Sequence, residues 1–202
     1  MLKLKTYWLP IVALTTSLLV GCASSPDTRL YVLSAQTSGQ VANWGQNGPN
    51  VLVGPVNVPG HIKRSEIVYR ASNNLITLNE YDRWAESINQ NISEVLSENL
   101  TNLLASNSVY TEKSNFLTRP DVIIRVDVNS FGLVENQQVV LQASWEIEDR
   151  RNGSTELKTQ RFQVTPQGED APAVVAAMST AIKQLSEILA QQLAGPQVSS
   201  PS

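Results

Sequence analysis

The residues whose types could carry chemistry are few. In 202 residues there is one cysteine, Cys22, and one histidine, His61. Cys22 follows Leu19, Val20 and Gly21 at the end of a short apolar stretch, and with no second cysteine an intramolecular disulfide is excluded. His61 lies in the run Val58-Pro59-Gly60-His61-Ile62-Lys63-Arg64, and no Gly-x-Ser-x-Gly elbow accompanies it to supply a nucleophile. A histidine in such a turn is expected at the surface. One histidine and one cysteine do not make a zinc site without carboxylates, and those stand at no recognisable metal-ligand spacing. Glu146 and Glu148 share a strand face with Gln142 and Ser144, the pattern of a solvated face rather than an acid pair. Gly54, Gly60, Gly132 and Gly153 are scattered at turns and form no phosphate-cradling loop. The inventory gives no enzyme and no metal or cofactor beyond covalent chemistry at Cys22.

That chemistry follows from what precedes the cysteine. Lys3 and Lys5 stand ahead of an apolar run from Tyr7 to Val20, and small residues follow, which is the layout of a secretory signal over residues 1–21. Pro10, Thr15, Thr16 and Ser17 interrupt the run, which is too short to span a bilayer stably. Leu19-Val20-Gly21-Cys22 resembles the lipobox of bacterial lipoproteins. The resemblance implies cleavage before Cys22, a diacylglycerol on its thiol and an acyl chain, commonly palmitate, on its amino group. Two or more chains hold firmly where one is marginal, since each buried methylene contributes about 0.8 kcal/mol. Ala23 and Ser24 follow in place of an aspartate, and the same resemblance then implies sorting to the outer membrane, facing the periplasm.

The remaining composition agrees with a tethered module. Removing Lys3 and Lys5 from the 15 basic residues leaves 13 against 18 acidic ones, a charge of about −5 with His61 neutral. Such a body is a poor nucleic-acid binder. It has no polybasic segment for anionic headgroups, so membrane attachment rests on the anchor. Residues 22–28 form a short polar tether, residues 29–195 one domain with ample core, and 196–202 a disordered tail.

Within the domain, Arg29 to Leu33 reads as a first strand and Val51 to Val58 as a second. Ser34 to Asn50 is rich in Gly, Gln, Asn and Ser and reads as a long loop in which Trp44 pins to the body or to a partner. Glu66 to Ala71 and Leu75 to Leu78 are extended around Asn73-Asn74. From Asp82 the period turns helical: Trp84, Ile88, Ile92, Val95, Leu96, Leu100 and Leu103 share a face, with Glu86, Asn91, Glu94 and Glu98 off it. Val122, Ile124, Val126 and Val128 alternate with polar or outward positions, as do Leu141, Ala143, Trp145 and Ile147. Asn152-Gly153 then predicts a tight turn into a strand through Phe162 and Val164. A helix is expected from about Asp170 to Leu193, stopped by Gly195-Pro196. The order predicts an α+β fold, a mixed α/β sandwich with an antiparallel-rich sheet and two long helices on one face.

The positions Tyr31-Val32-Leu33, Val53-Gly54-Pro55-Val56-Asn57-Val58-Pro59, Ile67-Val68-Tyr69-Arg70 and Tyr81-Asp82-Arg83-Trp84-Ala85-Glu86 resemble the ABC-type transport auxiliary lipoproteins of the PqiC-like (YmbA-like) kind. The Arg-Trp-Ala-Glu piece is expected to open the first helix. The resemblance implies an outer-membrane lipoprotein and a ring homo-oligomer that supports envelope integrity. It also implies partners, an MCE-domain protein of the PqiB type with its inner-membrane PqiA-like component, in lipid transport between membranes. The turn between the second and third strands then supplies Pro59, His61, Lys63 and Arg64, with Trp44, as candidate partner or subunit contacts. Where family members often carry Tyr-Leu-Asp-Arg-Pro-Gln, this chain has His61-Ile62-Lys63-Arg64-Ser65-Glu66 and keeps only Arg64 of the polar positions. Two other readings stay open: a lipoprotein regulator of a periplasmic partner such as a peptidoglycan synthase, and a direct lipid carrier.

Overall fold

The alternation of small and branched apolar residues builds the main sheet. β1 (Arg29–Tyr31), β2 (Val51–Asn57), β3 (Glu66–Ser72), β4 (Leu75–Trp84), β5 (Val109–Thr111), β6 (Val122–Leu133), β7 (Val139–Asp149) and β8 (Ser154–Val164) are joined by two helices, α1 (Ile88–Leu104) and α2 (Ala171–Ala194). The computed structural model describes residues 27–72, 74–114, 119–134 and 137–195. The expected signal, Cys22, most of the tether, Asn73 and the expected tail at 196–202 lie outside the described residues.

The fold is α+β, with the strands divided between two sheets. The larger has the order β5-β2-β6-β7-β8. The expected antiparallel meander is its β6-β7-β8 half, in which Asn152 and Gly153 close the turn between β7 and β8. β2 joins the other half in parallel, between β5 and β6. Its register shifts between Val53 and Val56, where Pro55 removes a ladder donor. The smaller sheet, β1-β4-β3, carries the amino-terminal strand in parallel on β4 and a β3-β4 hairpin.

Both helices cover one face of the large sheet and pack on each other. Ile92, Leu96 and Leu100 of α1, Ile182, Leu185 and Leu189 of α2, and Val51, Ile124, Val126 and Leu141 of the sheet are fully buried. Each such side chain contributes roughly 1.5–3 kcal/mol of burial. α2 is apolar and long enough by composition to cross a bilayer, yet it is largely buried within the domain, as a core helix is. Asp170 caps it, its carboxylate accepting from the Ala173 amide at 3.1 Å, and Gly195 ends it with φ 70°.

Two expectations are corrected. α1 opens at Ile88, not Asp82: Tyr81 to Trp84 continue β4, with Arg83 opposite both Glu66 and Leu30, and Ala85 and Glu86 form a bend. Trp84 is buried from the end of a strand rather than from a helix face. Asn91 is not off the apolar face but buried in it, together with Asn99.

Those two asparagines explain the Ser34–Asn50 segment. Leu33 N donates to Asn91 Oδ1 at 2.7 Å and Gln36 N to Asn99 Oδ1 at 2.8 Å, both from α1. Ser34 N donates to Ser179 Oγ of α2 at 3.1 Å. Further on, Val41 and Ala42 donate to Leu103 O, Trp44 to Leu104 O at 2.8 Å and Gly45 to Ala105 O. The strap thus satisfies the carbonyls that the end of α1 leaves without intrahelical partners. A loop by composition is a strap across both helices.

Candidate functional site

The turn from Pro59 to Ser65 joins β2 to β3. Ile62 and Lys63 donate their amides to Pro59 O at 3.0 and 3.1 Å, closing the turn, and Ile62 is buried as its plug. Its neighbours His61, Lys63 and Arg64 are consequently exposed, while Pro59 is half-buried. The Trp84 amide donates to Ser65 O at 2.7 Å and the Ala85 amide to Tyr31 O at 2.9 Å, so the turn, β1 and the approach to α1 share one end of the domain. This is also the end at which the described chain begins, β1 opening two residues after Asp27.

Lys63 and Arg64 line a recess of about 450 Å³ with Ser65, Trp84, Glu86, Ser87 and Ile88. It combines two cations with a tryptophan and the start of α1, whose first turn carries no acidic residue. Arg64 Nε lies 3.4 Å from Glu66 Oε2. The Glu66 carboxyl is held below the usual range, first by backbone N–H donation and further by Arg64. His61 faces elsewhere, into a narrow cleft with Val68, Arg70, Ile76 and Phe131. Trp44 is far from both, half-buried against the core at the C-terminal end of α1, a helix about 25 Å long by its rise per residue. The candidates therefore separate into Lys63 with Arg64, His61 alone, and Trp44 as a structural pin.

A buried carboxylate orders this end. Asp82 is fully buried and accepts from Arg29 Nε at 2.6 Å and Nη2 at 2.9 Å, and from the Asn79 amide. Burial pushes the phenols of Tyr31 and Tyr69 upward, and the Asp82 charge adds to the effect on each. A three-residue strand would hold weakly by its ladder alone, and this pairing fixes β1 on β4.

Glu146 and Glu148 form the ladder that a solvated face predicts. Arg125 donates to Glu146 and, at 2.7 Å, to Glu148, which also accepts from Arg150. These N–H donors, Arg150 first, lower the Glu148 carboxyl's pKa. Among the described residues no cluster of three or more His, Cys, Asp or Glu is arranged to hold a metal ion. A second recess, about 380 Å³, lies between α1 and β5 and is crossed by the Lys113–Glu94 pair at 2.9 Å. It was not legible in the sequence because β5 has only three residues, too few to show an alternation.

No curated protein matches this chain in sequence. A solved structure of an uncharacterized protein superposes with a TM-score of 0.68 at 18% identity, covering 83% of this chain and 99% of that one. Protein XCC0632 of Xanthomonas campestris, from family DUF330, gives 0.65 at 16% identity over 80% and 92%. Both share the fold. A PelC dodecamer from Paraburkholderia phytofirmans reaches only 0.40 at 11% identity over 74% and 92%, too distant to bear on this chain. The model of the ABC-type transport auxiliary lipoprotein component matches residues 31–190, from β1 to within α2. The chain belongs to the ABC-type transport auxiliary lipoprotein component family.

Proposed function

We propose that the protein is the PqiC-like subunit of an MCE lipid-transport system, anchored through acylated Cys22 in the outer membrane. There it assembles as a ring and docks the periplasmic needle of a PqiB-like MCE-domain protein. The observation that carries this reading is the Pro59–Ser65 turn, in which a buried Ile62 forces His61, Lys63 and Arg64 outward on the tethered end of a transport-auxiliary domain. Exposed basic side chains on a fixed turn suit partner recognition better than catalysis. The fully buried apolar layer between helices and sheet favours docking over carriage of a lipid inside the domain. Tether length disfavours a regulator that reaches across the cell wall, since the seven residues from Cys22 to Thr28 extend at most about 25 Å.

The test uses the full-length lipoprotein in detergent, with native mass spectrometry for assembly state and capture of an MCE-domain periplasmic segment. A closed ring that captures the segment, and loses it on combined Lys63→Glu and Arg64→Glu substitution with unchanged circular dichroism, is expected. A monomer that captures nothing overturns the reading.

A further inference from the structure

Six of the seven large apolar side chains exposed among the described residues belong to one small part of the molecule. Leu30 and Val32 lie on or directly after β1, and Leu75, Ile76, Leu78 and Tyr81 lie on β4. The seventh, Leu157, stands alone on β8, the free edge of the large sheet. Leu30 is 65% exposed and Leu75 56%. Leu75 to Leu78 are all exposed in an extended strand, so the hairpin end offers apolar side chains to both of its sides. Scattered single apolar residues need no explanation, but a concentration on one arm does.

The place of this arm relative to the anchor identifies its occupant. Leu30 is eight residues from Cys22, at most about 28 Å along a fully extended chain. β1 is bonded in register to β4 from Arg29↔Asp82 to Tyr31↔Trp84, so the hairpin follows β1 wherever the tether holds it. Arg83, exposed and opposite Leu30 in the β1-β4 register, sets a cation beside the apolar residues nearest the anchor, as at a headgroup boundary. We propose that the β1-β4-β3 arm is a second membrane contact, its apolar side chains entering the lipid surface beside the acyl anchor. The arm fixes the domain's orientation on the bilayer, which a flexible tether alone does not. This inference rests on the anchoring of Cys22 stated above.

The test places an environment-sensitive fluorophore on Leu30→Cys, Leu78→Cys or Leu157→Cys of the processed, acylated full-length chain. Vesicles of phosphatidylethanolamine and phosphatidylglycerol are prepared with and without nitroxide-bearing lipids. All three positions are exposed, so the substitutions remove no core contact. The expected result is a blue-shifted emission, quenched by the nitroxide lipids, at positions 30 and 78 and not at 157. Vesicle-bound protein whose labels at 30 and 78 stay in water, or are buried against a second copy as shown by cross-linking at those positions, overturns the inference and leaves the anchor intact. Failure of the unsubstituted, acylated chain to float with vesicles instead removes the anchor reading and this inference with it.

Discussion

Asn99 is where the strap, α1 and α2 meet, and replacing it with leucine tests whether that junction stabilises the domain. Its side chain is fully buried; Oδ1 accepts the Gln36 amide at 2.8 Å and Nδ2 donates to Ser186 Oγ at 3.0 Å. Leucine is close in volume, so the change opens no cavity and isolates the polar terms. Two hydrogen bonds are lost at a net cost of about 1 kcal/mol each, and the partly buried Gln36 amide, left without an acceptor, adds about 1–3 kcal/mol. Ser186 keeps its own bond to Ile182 O at 2.9 Å and adds little. Burial of the new methyls at this fully buried position returns about 1–2 kcal/mol. The expected net loss is about 1–4 kcal/mol, read as a lower urea midpoint at constant slope by the fluorescence of the buried Trp84 and Trp145. Hydrogen exchange at Gln36 is expected to accelerate more than at strands β6 and β7. Combining Asn99→Leu with Ser186→Ala should cost less than the sum of the two single changes, because Ser186→Ala alone strands the buried Asn99 Nδ2, a cost absent once Asn99 is gone. Undiminished stability with unchanged protection at Gln36 refutes the reasoning.

Gly132→Ala meets two obstacles, since Gly132 has φ +144° and an added Cβ would stand 2.9 Å from Val68 O. The contact is backbone, so β3 must move away from β6, and a loss of about 1–3 kcal/mol with loosened β3 amides is expected by thermal melting and hydrogen exchange. Acid should destabilise the fold through Glu148 and Asp149, whose carboxyls are lowered by Arg150 with Arg125 and by Arg151 respectively. A lowered folded pKa favours the ionised native form, so this stability is complete above the unfolded carboxylate range near pH 4 and falls as the pH drops through the lower folded values. Melting temperatures from pH 6 to pH 2 check it, with Arg150→Gln expected to flatten the decline.

Most of the fold was legible because burial follows period. The alternation of Val122 to Val128 and Leu141 to Ile147 marks the central strands, and the stripe from Ile88 to Leu103 marks α1. The stripe misled at its start because Trp84 stands four residues before Ile88 and is equally buried, although it reaches the core from a strand. Asn91 and Asn99 look like residues of a solvated face, and their burial makes sense only once a strap with unpaired amides lies over them. A spacing of eight between two asparagines inside an apolar stripe was the available signal. At the candidate site, the exposed turn could be read from Pro59-Gly60 and its basic neighbours. The separation of His61 from Lys63 and Arg64 depends on Ile62 turning inward, which spacing alone does not dictate.

The strap also imposes an order of events on the chain. Ser34 bonds to Ser179, 145 residues later, and Gln36 bonds to Asn99, whose other partner is Ser186 on α2. The bond of the Ser34 amide, and the Asn99–Ser186 bond beneath Gln36, therefore form only after the last helix has been made and packed against the first, whereas the other strap amides bond to α1. The Ser34–Ser179 bond thus ties an early-made part of the domain to its last-made helix, a contact of high sequence separation that forms only with α2 in place. Until α2 docks, the segment that joins β1 to β2 is held by α1 alone, and the docking of the carboxy-terminal helix completes the hold at Ser34.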